Sequence, residues 1–231
     1  MTDKQAPSTV VTERFAEATA WVIPRVADDV RKGGDTPYLV HLLEVAATVL
    51  AHGGSEDAAI AALLHDAAED SGGEGVLTEI GEAFGDRVAA TVRACSDSLV
   101  ADRSAKDPWW DRKVGYIVHL AADDDLDVTL VAAADKLSNV RACRADYAEV
   151  GEDLFGRFNP EAGRAGTLWY YRRVTEVLGA HDLDTRGLVD ELAEEVRGWW
   201  AEVAAANPEV DLEAEYAAAC AAAGDRAAGS A

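Results

Sequence analysis

The residue types best suited to chemistry stand together in residues 60–70, which read Ile-Ala-Ala-Leu-Leu-His-Asp-Ala-Ala-Glu-Asp. An apolar run leads into His65 and Asp66, and Glu69 and Asp70 follow them at a distance of four residues. No glycine or proline interrupts the stretch, so the sequence predicts a single buried helix. On that helix Glu69 lies one turn beyond His65, and Asp70 lies one turn beyond Asp66. Buried carboxylates are costly without a neutralising partner. A divalent cation would supply that partner.

Two further side chains are expected to join this stretch from other helices. His41 lies near the start of a helix predicted over residues 37–51. Asp135 follows seven mostly apolar residues in a helix predicted over residues 127–147, with Asn139 one turn further along the same face. Two imidazoles and two carboxylates suit a first-row ion such as manganese, iron or zinc, and leave room for a water whose pKa the ion lowers.

The elements that must position these side chains are all predicted to be helices. Apolar residues recur at helical spacing between glycine and proline breaks, and neither strand-like alternation nor an internal repeat occurs. The sequence therefore predicts an all-α bundle of about ten helices, with a kink at Pro24. We expect a disordered N-terminus over residues 1–9, a main domain over 10–182, a C-terminal helical extension over 183–223 and a disordered tail over 224–231.

Composition excludes several classes of protein. The formal net charge is −22, from 43 acidic and 21 basic residues, which disfavours sequence-independent binding to nucleic acid. No apolar run reaches about 18 residues, so no membrane span is expected. Three cysteines without a CxxC pair favour a reducing compartment over a disulfide framework or a thiolate metal site. A cytoplasmic location follows as the expectation, because no leader sequence is evident.

A second acidic cluster, the run from Asp123 to Asp125, lies between two predicted helices. Three adjacent aspartates could bind a hard cation, but the run lacks the fixed ligand spacing of a calcium loop. We therefore interpret it as a solvated turn.

Four sequence blocks occur in order between about residues 12 and 180: Arg31-Lys32 with Thr36–His41, Ala61–Asp66 with Glu69-Asp70, Ala134–Arg141 and Leu168–Arg172. With these blocks the chain resembles the HD-domain phosphohydrolases, and within them the single-domain alarmone hydrolases of the RelA/SpoT type. The departures from that family are small: Leu42 stands after His41 where proline is often found, and Ser71 where threonine usually follows the Glu-Asp pair. The second departure leaves the substrate range open.

The resemblance implies an HD-domain helical bundle with manganese-dependent activity. The implied reaction removes the 3′ pyrophosphate from (p)ppGpp and leaves GDP or GTP. The implied metal ligands are His41, His65, Asp66 and Asp135, and the implied proton-transfer residues are Glu69 and Asp70. From charge and hydrogen-bonding capacity we add the substrate contacts Arg31, Lys32, Lys136, Asn139, Arg164 and Tyr170.

Other functions remain open at this level. Some relatives hydrolyse ppApp or pyrophosphate placed on the tRNA 3′ end, and so act as antitoxins to a toxic synthetase. Another HD-domain nucleotidase would use the same ligands on simpler nucleotides. A metal-bearing nucleotide-binding protein without activity is a third alternative, and the intact Glu-Asp pair disfavours it. In each case the expected partner is a nucleotide, and the oligomeric state is unspecified.

Overall fold

The structure, a computed structural model, describes residues 9–229, apart from the side chains of residues 70, 71, 103 and 225–229. Within this part of the chain eleven α-helices form and no β-strand, so the predicted all-α fold is confirmed. None of the described helices is long and apolar enough to cross a membrane. The helices are α1 (Glu13–Val22), α2 (Tyr38–Ala51), α3 (Glu56–Leu64), α4 (Ala67–Ser71), α5 (Glu74–Phe84), α6 (Asp86–Cys95), α7 (Trp109–Ala122), α8 (Leu126–Val150), α9 (Gly163–Gly179), α10 (Leu188–Ala206) and α11 (Leu212–Gly229).

Local sequence signals set most of the helix ends. α1 gives way to a 3₁₀ turn over Ile23–Arg25, where Pro24 was expected to kink the chain. α3 begins at its cap Ser55, whose hydroxyl accepts from the backbone N–H of Ala58 at 3.0 Å. At the other end of the chain α11 runs to Gly229, past residue 223 where the sequence predicted its end. Residues 1–8, most of the predicted disordered N-terminus, lie outside the described part.

The single helix predicted to run to Asp70 is wrong, because α3 ends at Leu64 and α4 restarts at Ala67. Between them Asp66 has φ −91° and ψ −10°, at the edge of the right-handed helical region. Adjacent residues of a regular helix do not face each other. The break therefore allows His65 and Asp66 to point into the same space.

The core is built around α3 and α8. Every residue of α3 from Ala58 to Leu64 is buried, and its four alanines allow the neighbouring helices to approach closely. α8 passes through the centre with a long buried stretch from Val128 to Ser138. Such surroundings exclude water, so any charged side chain there must find its partners within the protein.

The C-terminal helices share this core. Trp199 of α10 is fully buried and stacks on Phe155, with ring centroids 5.9 Å apart and an interplanar angle of 16°. At the end of α10 the Asn207 amide donates to Glu152 at 2.8 Å and to the Tyr147 hydroxyl at 3.2 Å. The extension is thus packed on the long helix that carries Asp135, while the division into two units at residue 182 stays a prediction.

Candidate metal centre and substrate cavity

The four predicted metal ligands meet at one point in the core. His41 comes from the first turn of α2, His65 and Asp66 from the junction after α3, and Asp135 from the middle of α8. His41 Nε2 lies 3.2 Å from Asp135 Oδ1, and His65 Nε2 lies 3.0 Å from Asp66 Oδ2. One ligand atom from each of His41, His65 and Asp66 lies within 4.8 Å of the others. The spacing is that of atoms which could share one ion.

The ring nitrogens of His65 show that this donor set fits a divalent cation. Nδ1 lies 2.8 Å from the carbonyl of Ala62, which can only accept, so Nδ1 carries the proton. Nε2 is buried and makes no hydrogen bond to any described residue. A buried polar atom left in this way costs about 1–3 kcal/mol. Imidazole nitrogen beside carboxylate oxygen is a donor set typical of first-row divalent ions.

Electrostatics at the centre favour positive charge. Burial alone would raise the pKa of Asp66, but His65 holds that pKa at about 2. Burial opposes ionisation of Asp135 too, yet Lys136, His41 and His65 lower its pKa well below the ordinary value. For His65 burial disfavours the charge, whereas Asp66 and Asp135 raise its pKa well above the usual range. The ionised carboxylates of Asp66 and Asp135 thus favour a positive charge at the His65 ring, which a proton or a metal ion can supply.

Glu69, in α4, lies beside a basic cluster that sequence analysis missed. Lys106 Nζ is 3.3 Å from Glu69 Oε1, and Arg112 is 3.8 Å from the same oxygen. Asp97, with a side chain 3% exposed, pairs with both Arg112 and Lys113 at 2.5 Å. Burial, and next the Asp97 charge, raise the pKa of Glu69 to about 7. Glu69 can therefore take up or release a proton near neutral pH. The side chain of its neighbour Asp70, the other predicted proton-transfer residue, lies outside the described residues.

A cavity of about 810 Å³ joins the metal centre to this cluster. Among the predicted substrate contacts, Arg31 donates to Ser138 at 3.3 Å and to Asn139 at 3.2 Å. Lys136 Nζ lies 5.6 Å from the centre of the Tyr170 ring, close enough for a cation–π contact. The cavity lining includes five of the six predicted contacts together with four of the residues above, namely Arg31, Lys32, Lys136, Asn139, Tyr170, Asp66, Glu69, Arg112 and Lys113.

Arg164 is the predicted substrate contact that the structure places elsewhere. Its guanidinium group pairs with Glu152 at 2.9 Å and with Glu215 of α11 at 2.7 Å. It is not among the described residues that line the cavity. Arg164 therefore ties α9 to the C-terminal extension, which the sequence could not foresee because Glu215 lies 51 residues away.

A family model described as the HD domain matches residues 18–168, which include all four clustered side chains. The chain belongs to the HD-domain family. The predicted resemblance to that family is thus confirmed.

Curated relatives of this HD domain are longer proteins. GTP pyrophosphokinase rsh of Brucella suis is 30% identical over 186 residues, which is 77% of this chain but 24% of the relative. The Aquifex aeolicus protein named guanosine-3′,5′-bis(diphosphate) 3′-pyrophosphohydrolase is 32% identical over 129 residues, or 56% of this chain and 18% of its own length. The chain thus spans a quarter or less of these proteins.

Two solved structures share the fold. One is described as a metazoan orthologue of SpoT that hydrolyses ppGpp, with a TM-score of 0.62 at 24% identity, covering 82% of this chain and 98% of the other. The second, from Listeria monocytogenes, has a TM-score of 0.55 at 24% identity, covering 68% and 96%. At this level of identity the two structures establish a common helical architecture.

Proposed function

We propose that this chain removes the 3′ pyrophosphate from guanosine alarmones, converting ppGpp to GDP and pppGpp to GTP. The observation that carries the proposal is that Asp66 and Asp135 of the metal centre and Arg112 and Lys113 of the basic cluster line one cavity. A pyrophosphate group carries several negative charges, and such a lining matches them. The names of the Aquifex relative and the metazoan structure support the same substrate.

The proposed cofactor is manganese, held by His41, His65, Asp66 and Asp135. A bound divalent cation lowers the pKa of a coordinated water and offsets charge on phosphoryl oxygens. The protein contributes the orientation of both imidazoles, and it keeps both carboxylates ionised at neutral pH. The burial of both rings, His41 at 1% and His65 at 2% exposure, fixes these donors before the substrate arrives.

Glu69 is the proposed proton-transfer group. It accepts a proton from the attacking water as the bond to the phosphorus forms, and the departing 3′ oxygen receives a proton as the P–O bond breaks. A carboxyl group with a pKa of about 7 can serve in both directions near neutral pH. We assign Asp70 to the same task on the strength of the family resemblance.

The remaining contacts are assigned by charge. Arg112 and Lys113, which line the cavity beside Glu69, are assigned to the pyrophosphate, together with Lys136 and Asn139 of α8. Arg31, which donates to Asn139, and Lys32 also line the cavity, and the planar guanidinium of Arg31 can stack on the base. Tyr170 closes the wall between these groups, where Lys113 Nζ lies 4.7 Å from its ring centre.

Pyrophosphate release from ppGpp in the presence of Mn²⁺ tests this proposal. We expect turnover of ppGpp and pppGpp, its loss with EDTA and its return when Mn²⁺ is restored. Parallel reactions with ppApp and dAMP assign the base and the class of substrate. Turnover of dAMP without turnover of ppGpp would show a simple nucleotidase and contradict the proposal. Repeating the panel with Zn²⁺ and Fe²⁺ tests the choice of metal.

A further inference from the structure

The Ser138 hydroxyl on α8 is buried among three polar side chains. Its Oγ lies 3.0 Å from His41 Nδ1, 2.9 Å from Glu44 Oε2 and 3.3 Å from Arg31 Nη1. Glu44 lies one turn beyond His41 on α2, so the hydroxyl joins two residues of that helix to the cavity residue Arg31. Each of these contacts constrains where the hydroxyl proton can point.

A hydroxyl group has one proton to donate and two lone pairs to accept with. The guanidinium of Arg31 can only donate, so it takes one lone pair of Ser138. The carboxylate of Glu44 can only accept, so it takes the proton of the hydroxyl. One lone pair is left for His41, and Nδ1 must therefore be the donor.

His65 reaches the same state by a simpler route, since its Nδ1 faces the carbonyl of Ala62. His41, in the first turn of its helix, directs Nδ1 across to α8 instead. With Nδ1 protonated, the lone pair of His41 resides on Nε2, the nitrogen that lies 3.2 Å from Asp135 and 3.9 Å from Asp66.

We infer that Ser138, held by Glu44 and Arg31, is a positioning residue that fixes the Nδ1–H tautomer of His41 and so aims its Nε2 lone pair into the metal centre. The inference rests on the proposed metal site. It extends that site to a hydroxyl group whose place in the sequence, three residues after Asp135, gives no indication of contact with His41.

Metal affinity in matched variants tests the inference. Ser138→Ala should weaken Mn²⁺ binding, measured by titration calorimetry, by about 10–100-fold, the usual effect of losing a partner behind a ligand. Ser138→Thr keeps the hydroxyl, so its dissociation constant for Mn²⁺ should be closer to the native value than that of Ser138→Ala. Thr129→Val is the matched control, because Thr129 of the same helix places its hydroxyl 3.4 Å from His181, away from the metal centre. It should bind Mn²⁺ as the native protein does.

A spectroscopic measurement distinguishes positioning from a general loss of structure. In the zinc-loaded native protein, ¹⁵N–¹H spectra of the histidine rings should show a protected Nδ1–H proton on His41. Ser138→Ala should lose that signal through exchange with water, and Ser138→Thr should keep it. An unchanged signal and an unchanged dissociation constant in Ser138→Ala would overturn the inference.

Glu44→Ala provides a second variant if Ser138→Ala does not fold. The Glu44 side chain is 55% exposed, so its removal should be tolerated. Without this acceptor the hydroxyl proton is free to turn toward His41, and a smaller loss of Mn²⁺ affinity is expected. Native affinity in Glu44→Ala would contradict the assignment of the proton. If the native protein itself binds no Mn²⁺, the proposed metal site fails; if it binds and the variants match it, the positioning role of Ser138 fails alone.

Discussion

Helix α8 contributes to two acidic clusters, one at the protein surface and one in the buried core. At its start Asp125 and Asp127 both pair with Arg87, at 2.5 Å and 2.8 Å, on the protein surface. Eight residues after Asp127, Asp135 lies beside Asp66 in the core, and Lys136 is the cation that pairs with Asp135 there. Each cluster thus sets one fixed positive charge against two carboxylates. Counting charges does not distinguish them.

Burial and the neighbouring side chains do distinguish the two clusters. Arg87 has a side chain 47% exposed, so water screens the excess negative charge of the surface cluster. Asp125 also uses its carboxylate to cap α8, accepting from the backbone N–H of Asp127 at 2.9 Å. In the core water cannot do this, and both imidazoles offer nitrogen atoms. A carboxylate pair becomes a metal site where burial and imidazole donors coincide.

The largest expected effect comes from making the same substitution in each cluster. Asp66→Asn should abolish stoichiometric Mn²⁺ binding and reduce ppGpp hydrolysis to the rate seen without metal, because it removes a charged ligand from the centre. Asp127→Asn should leave both properties at native values. Metal content by mass spectrometry and pyrophosphate release measure the two outcomes. Equal loss of metal in both variants would erase the distinction between the clusters.

Glu69→Gln should lower kcat by about 10²–10⁴-fold, the range for loss of a general acid–base group, with Mn²⁺ affinity retained. Since the ionised form of Glu69 accepts the proton, the native rate should rise with pH and level off at higher pH. The half-maximal rate is expected at a pH at or below about 7. A nearby bound cation favours the ionised carboxylate, which is why the midpoint can fall below that value.

Asp97→Asn is the comparison that isolates the cause of the raised Glu69 pKa. It removes a negative neighbour that raises the pKa of Glu69, so the rising limb of the rate profile should move to lower pH. Arg112 and Lys113 lose their shared partner in this variant, and they would then stabilise the Glu69 carboxylate further. A limb that stays in place, or moves to higher pH, would show that Asp97 does not tune Glu69.

Mn²⁺ should stabilise the fold through the buried cluster alone. At a hundredfold excess over the dissociation constant, binding adds about 2.7 kcal/mol. For a chain of this size that raises Tm by roughly 5–10 °C. Thermal melts with Mn²⁺ and with EDTA should show this shift in the native protein and in Asp127→Asn. A similar shift in Asp66→Asn would place the stabilising ion elsewhere.

The smallest effect is expected at the surface cluster. Asp125→Ala removes the cap of α8 and one of the two partners of Arg87, and should cost about 1 kcal/mol of unfolding free energy. Chemical denaturation measures that loss, and Mn²⁺ affinity should not change. A stability equal to that of the native protein would mean that the capping hydrogen bonds contribute nothing.

The clustering of the four proposed metal ligands could be predicted because these residues carry local signals. His65 and Asp66 end an apolar run, and Asp135 interrupts another, so each was expected to face inward. The break between α3 and α4 was missed because no glycine or proline marks it, and the hydrogen bond that turns His65 is made to a backbone carbonyl.

The basic wall of the cavity was missed for a different reason. Arg112 and Lys113 are adjacent cations near the start of α7, before its apolar residues. This pattern could have indicated two basic side chains that face a common acidic partner. Asp97 and Lys106 lie outside helices, in a connection whose path no periodicity predicts. Arg164 had the right charge for a substrate contact, but its partner Glu215 is brought to it by the tertiary fold.

The hydrogen bonds from Asn207 to Glu152 and Tyr147 bear on how this protein can be trimmed or grafted. The matched family segment stops at residue 168, inside α9. A recombinant fragment cut there would uncover the Phe155 ring that Trp199 covers and strip polar partners from the chain segment leading to Arg157 on the cavity wall. A portable version of this scaffold should therefore extend at least through Asn207, and versions cut at residue 168 should aggregate.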